Sequence, residues 1–129
     1  NLTINMNLPG GVNSIIGRNL KLSDKYTRLL PIYPGSRIFS VIEGKDQGKD
    51  NITVSIRIRD DIDKIIKWHR QEVERMGYSI KDWSTTDEVT NIWFYNDQYT
   101  GSITISNKDH SNPGKTTEEV RVSLWLETK

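Results

Sequence analysis

The residue best placed to do chemistry is His69. It lies within Asp60 to Met76, DDIDKIIKWHRQEVERM, where Ile62, Ile65, Ile66, His69, Val73 and Met76 recur at steps of three and four. That spacing sets the imidazole midway along the apolar stripe of an amphipathic helix, with Lys64, Lys67, Arg70, Gln71, Glu74 and Arg75 covering the rest. An imidazole titrates near neutrality and suits acid–base work, but a catalyst also needs an oriented partner, and no nucleophile stands at a useful spacing. The sequence therefore favours His69 as a packing residue with one ring nitrogen hydrogen-bonded; ligand contact and catalysis are the alternatives. His110, in a polar loop with Asp109 and Asn112, reads as solvent-facing, and the two histidines do not have metal-binding spacing. Asp60, Asp61 and Asp63 form a carboxylate cluster, but their place at a helix start is explained by capping of free amides.

A second set of residues comes from strand parity. If Ile92, Phe94, Ile103, Ile105, Val120, Val122, Leu124 and Leu126 point inward, Trp93, Tyr95, Thr104, Arg121 and Trp125 share the opposite side. Arg57 and Arg59 join them by the same alternation. Aromatic rings offer stacking and guanidinium groups offer directional hydrogen bonds, so the expected ligand-binding residues are Trp93, Tyr95, Trp125, Arg57, Arg59 and Arg121, with His69 as a further candidate. The competing expectation is that the N-terminal segment or long side chains cover that face. Nucleic acid is disfavoured as its occupant, because RNA-binding sheet signatures and a helix-turn-helix pattern are missing and both charge signs alternate along the chain.

Several activities find no footing. The glycines are dispersed and make neither a phosphate-binding loop nor a dinucleotide fingerprint. A Gly-x-Ser-x-Gly nucleophile turn, a zinc-protease helix motif and cysteine are all missing from the sequence. Gly44 to Asn51, GKDQGKDN, lacks the alternating ligands and terminal Glu of a calcium loop. No cofactor and no metal are expected, and an enzyme is disfavoured.

The elements that must carry these residues follow from periodicity. Leu2, Ile4, Met6 and Leu8 alternate with polar residues up to Pro9-Gly10-Gly11, giving an edge strand or an arm that pairs with another copy. Ser23 to Leu30 suits one or two helical turns anchored by Tyr26, Leu29 and Leu30. Arg37 to Glu43 and Ile52 to Arg59 read as strands joined by the polar span 44–51, and Asp60 begins the helix, which Gly77 ends. Tyr78 to Trp83, Val89 to Tyr95, Tyr99 to Ser106 and Glu118 to Glu127 complete the strands, with polar turns at 84–88 and 96–98 and a loop over 107–117. The fold class is α+β, a twisted antiparallel β-sheet with one principal amphipathic helix packed on one face. With 129 residues and 34% hydrophobic content the chain fits a single domain over 1–129, with 1–11 as edge strand or arm and 33–129 as the principal helix-on-sheet unit. Eighteen Lys and Arg against seventeen Asp and Glu leave a formal charge of +1, so no global field attracts nucleic acid or an anionic membrane.

Tyr33-Pro34-Gly35-Ser36, paired strands around a polar hairpin, a helix carrying Trp68 and then Gly77-Tyr78 together resemble small extracytoplasmic domains of bacterial envelope proteins and lipoproteins. That resemblance implies a helix on an antiparallel sheet and a cell-envelope location, with no catalytic residues to carry over. Tyr78 stands where those domains more often have Trp. No segment approaches the roughly 20 apolar residues needed to span a bilayer, and attachment would run through an upstream segment. The leading functional expectation is a noncatalytic cell-envelope interaction or assembly module, working through a protein partner or self-association. The alternatives are a small-molecule binding protein, in which the helix-sheet seam around His69 encloses an apolar ligand, a structural subunit and an enzyme.

Overall fold

The computed structural model describes residues 3–17 and 20–129. Among them eight strands and two helices follow in chain order: β1 Ile4–Leu8, β2 Val12–Ile16, α1 Asp24–Thr27, β3 Arg37–Asp46, β4 Lys49–Ile58, α2 Ile62–Arg75, β5 Ser79–Thr86, β6 Val89–Tyr95, β7 Tyr99–Lys108 and β8 Thr116–Thr128. Leu2, part of the N-terminal alternation, lies outside the described residues. All eight strands join one antiparallel sheet in the order β1-β2-β3-β4-β8-β7-β6-β5. The architecture is α+β, a large antiparallel sheet with a small helical part.

Alternation decides which side of the sheet is dry. Ile52, Val54, Ile56 and Ile58 of β4 pair across to Leu126, Leu124, Val122 and Val120 of β8, and all eight are buried. Ile103 and Ile105 of β7 and Ile92 and Phe94 of β6 extend the same surface. Because the β4–α2–β5 connection leaves from the middle of the sheet and returns at its far edge, α2 crosses this apolar side and touches β5, β6 and β7. It buries Ile65, His69 and Val73 there. The sheet is wider than one helix can cover; the segment from Leu20 to Tyr33, with Tyr26, Leu30 and Tyr33 buried, packs against the same core on the β3 side.

Local chemistry fixes both ends of α2. The Asp61 carboxylate accepts a hydrogen bond from the Asp63 amide at 3.3 Å, satisfying a free donor of the first turn. At the other end Gly77 takes φ 91°, and the amides of Gly77 and Tyr78 turn back to the carbonyls of Glu74 and Val73. Tyr78 then starts the next extended segment, its hydroxyl donating to the Leu29 carbonyl at 2.8 Å and its ring packing edge-on to Phe94 at 4.7 Å. Burial, followed by the charge of Tyr99, pushes the Tyr78 phenol up to about 12.

Two loops read from polarity are mostly strand. The span 44–51 is not an open loop: β3 continues to Asp46, β4 begins at Lys49, and Gln47 and Gly48 turn the chain alone with φ 51° and 81°. Residues 84–88 likewise close on Asp87 and Glu88, with φ 52° and 64°. Two consecutive left-handed residues match the right-handed twist of a hairpin, so a two-residue turn lets polar, exposed strand ends keep pairing where sequence polarity alone suggests a loop. Val12–Ile16, which has weak periodicity, is a strand because it lies between β1 and β3 and its backbone groups pair on both sides.

Candidate functional site

One opening lies on the helix side, away from His69. A cavity of about 500 Å³ sits between the 20–32 segment and the last turn of α2. Leu20, Leu22, Leu30, Ile32, Ile38 and Met76 give it apolar walls, while Lys21, Thr27, Glu72 and Arg75 bring polar groups to it. The two polar residues from α2 are paired: Arg75 Nε donates to Glu72 Oε1 at 3.0 Å, and a second Arg75 nitrogen bonds the same oxygen. The arginine bond outweighs burial and holds the Glu72 carboxyl below its ordinary value, while raising Arg75 further. An apolar chamber with a charged pair in its lining and this volume falls within the range that binds small molecules.

The seam around His69 is filled instead. His69 is 0% exposed, and its Nδ1 lies 2.7 Å from the Ile65 carbonyl oxygen, so Nδ1 carries the proton and donates. Tyr33 stacks near it at 6.1 Å and Trp68 meets it edge-on at 4.9 Å. Nε2 has no hydrogen-bond partner among the described residues. Burial depresses the imidazole to about 4, against smaller raising effects from the Ile65 carbonyl and Glu72, so the ring is neutral near pH 7. The described cavity begins beyond it, at Glu72, because Ile65 and Val73 are also fully buried and close the seam on either side.

On the opposite side of the sheet the aromatic residues are open. Trp93 and Tyr95 are 44% and 40% exposed and Trp125 is half-buried. Ser102 lies between Trp125 and Trp93 in the register, and the small residue lets the two indoles meet edge-on at 6.4 Å. Lys129 lies 5.1 Å from the Tyr95 ring. The N-terminal segment does not fold over this face: β1 and β2 prolong the sheet beyond β3, and Ile4, Met6, Leu8 and Ile16 are themselves exposed. A shallow depression of about 310 Å³ lies beside the indoles over Ser55, Ser123 and Thr104, rimmed by Phe39, Arg121 and the exposed His110.

The arginines go to two different partners. Arg121 donates to the Lys108 carbonyl. Arg57 and Arg59 turn to Glu119, where they meet Arg37, which sequence parity does not single out. Arg37 is found only through register, which pairs it directly with Arg57, and Glu119 only because β8 begins far enough back to reach them. Burial raises the Glu119 carboxyl, but Arg57, by hydrogen bond and charge, and Arg37 outweigh it and hold the group below its ordinary value. The site residues read from the sequence therefore occupy three places: the indole face, the Glu119 cluster and the closed core around His69.

A large antiparallel sheet with a helix laid across one side and a cavity at that helix's end defines a helix-on-sheet domain with room for a ligand. Residues 38–118, well over half of the chain, match the START domain-like family, and the chain belongs to it. Comparison with curated proteins gave no match. Comparison with solved structures gave none either.

Proposed function

We propose that this protein is a noncatalytic small-molecule binding domain that takes a mainly apolar ligand with one polar end into the cavity between the 20–32 segment and α2. The observation that carries this reading is the cavity of about 500 Å³, with leucine and isoleucine walls and the Arg75–Glu72 pair in its lining. Apolar walls supply affinity by releasing water, and the charged pair and Lys21 orient the polar end. Membership in the START domain-like family, which suggests ligand binding, supports it. Titration with medium-chain carboxylates, followed by NMR on the methyl groups of Leu22, Leu30 and Met76, tests it. Saturable shifts in those methyls, lost when Leu22→Trp fills the chamber, are expected; shifts that are absent, or unchanged in Leu22→Trp, overturn the reading.

A second reading rests on Trp93 and Tyr95, whose exposure favours a partner surface on the sheet side that α2 leaves free. Under it the domain also docks a protein partner, and the cell-envelope setting implied by the turn-strand-helix resemblance belongs to this reading. Joint replacement of Trp93, Tyr95 and Trp125 by Ser abolishes partner binding if the surface is used and leaves it intact if not. Protease accessibility in intact against lysed cells tests the envelope location.

A further inference from the structure

On the side of the sheet facing away from α2, one row of the ladder places like charges side by side. Arg37 of β3 is directly opposite Arg57 of β4, and Arg57 is directly opposite Arg121 of β8. Such neighbours repel, and a sheet free to choose would set opposite charges there. Arg59 adds a third guanidinium to the Arg37–Arg57 end. Among the described residues Glu119 is the carboxylate that answers all three, at 2.7 Å from Arg37, 3.1 Å from Arg57 and 3.9 Å from Arg59. The nearby Asp60 is committed elsewhere, accepting from the Tyr33 hydroxyl at 2.7 Å and pairing with Lys64 at 3.2 Å.

Three guanidinium charges thus face one carboxylate, and their N–H donors outnumber what its oxygens can accept. The arginine side chains remain 53%, 43% and 73% exposed, so the surplus donors reach solvent. Arg57 is also plated against the Phe39 ring, 4.4 Å from its centroid, which limits its freedom to swing away. Together with Gly35, Arg37, Arg57 and Arg59 line a cavity of about 370 Å³.

We propose that Arg37, Arg57 and Arg59 form a binding site for a phosphate-type oxyanion, free or as a phosphomonoester, seated in this cavity. The chemistry is charge complementarity: guanidinium groups bond tetrahedral oxyanions in forked geometry, and an anion here relieves the repulsion along the row. The cavity is several times larger than inorganic phosphate, which leaves space for an attached organic group. The site is on the other side of the sheet from the chamber at α2 and does not depend on it.

The test has two arms run on the whole chain at constant ionic strength. In the first, inorganic phosphate replaces chloride while the arginine Nε–H signals are followed by NMR; in the second, flotation is measured with phosphatidylcholine vesicles with and without phosphatidic acid. Saturable shifts at Arg37, Arg57 and Arg59 support the site. Flotation that requires phosphatidic acid supports it and identifies a lipid headgroup as the source, whereas phosphate binding without flotation identifies a soluble phosphate compound. Arg59→Gln, the most exposed of the three, should weaken binding about tenfold. Glu119→Gln, which removes the competing carboxylate, should tighten it, and Lys45→Gln, an exposed cation elsewhere, should leave it unchanged. Absence of saturation in both arms, or equal binding by wild type and Arg59→Gln, overturns the proposal.

Discussion

Burying His69 ties the stability of the protein to pH. The unfolded imidazole titrates near 6.5, while burial lowers the folded one to about 4, so between these values the unfolded chain binds more protons. Stability from this group is complete above pH 6.5 and is lost as pH falls toward 4, by about 3 kcal/mol in all. Asp60, Glu72, Asp109 and Glu119 are also held low and lose stability in the same direction, so the imidazole's share is the difference between wild type and His69→Leu. Urea unfolding at a series of pH values should give a shallower loss in the variant; equal slopes would show that His69 is not buried in neutral form. Gly101 carries a different constraint. A Cβ there would come within 2.7 Å of both the Phe94 ring and the Trp125 carbonyl, and Phe94 is 1% exposed with nowhere to move. Gly101→Ala should therefore cost about 2 kcal/mol by overpacking, measured as a lower denaturation midpoint.

Among the elements, α2 depends most on its own sequence. Its apolar residues at helical spacing, an aspartate at the N-cap and glycine after the C-cap all specify the same segment. Asp61→Ala removes the carboxylate that accepts from the Asp63 amide and should cost about 1 kcal/mol, with faster hydrogen exchange in the first turn and little change in the last. The hairpins behave otherwise. Asp87 and Glu88 turn the chain without glycine, so their left-handed φ values are held by the pairing of β5 with β6 on either side rather than by residue preference. This is why the polar stretch 84–88 could not be divided into strand and turn from composition.

For the whole molecule, the β1 edge of the sheet is bound less firmly than its centre. All five residues of β1 are exposed and the strand pairs only with β2, whereas β4 and β8 form the buried centre. Removal of residues 1–11 should accordingly lower the unfolding free energy by no more than about 1 kcal/mol and leave the urea m-value nearly unchanged. A loss of cooperative unfolding would instead make the β1–β2 hairpin part of the central folding unit. The two candidate cavities lie elsewhere: the chamber lies where the 20–32 segment takes over from α2, and the arginine cluster lies where β3 begins beside the end of β4, next to the turn at Gly35.

The sequence by itself determined the α+β class, the position and caps of α2, the inward residues of β4, β6, β7 and β8, and the separation of His69 from Trp93, Tyr95 and Trp125. These follow from periodicity and capping, which act over a few residues and leave a local record. Tertiary structure alone decided that Arg37 sits beside Arg57 and Glu119, 82 residues from Arg37 in sequence, and that the seam closes at His69 while a cavity opens at Met76. Such neighbours are set by strand register and by the route of a weakly periodic segment over the core. Register is fixed by turns and by distant packing partners acting together, so no single stretch of the chain contains it.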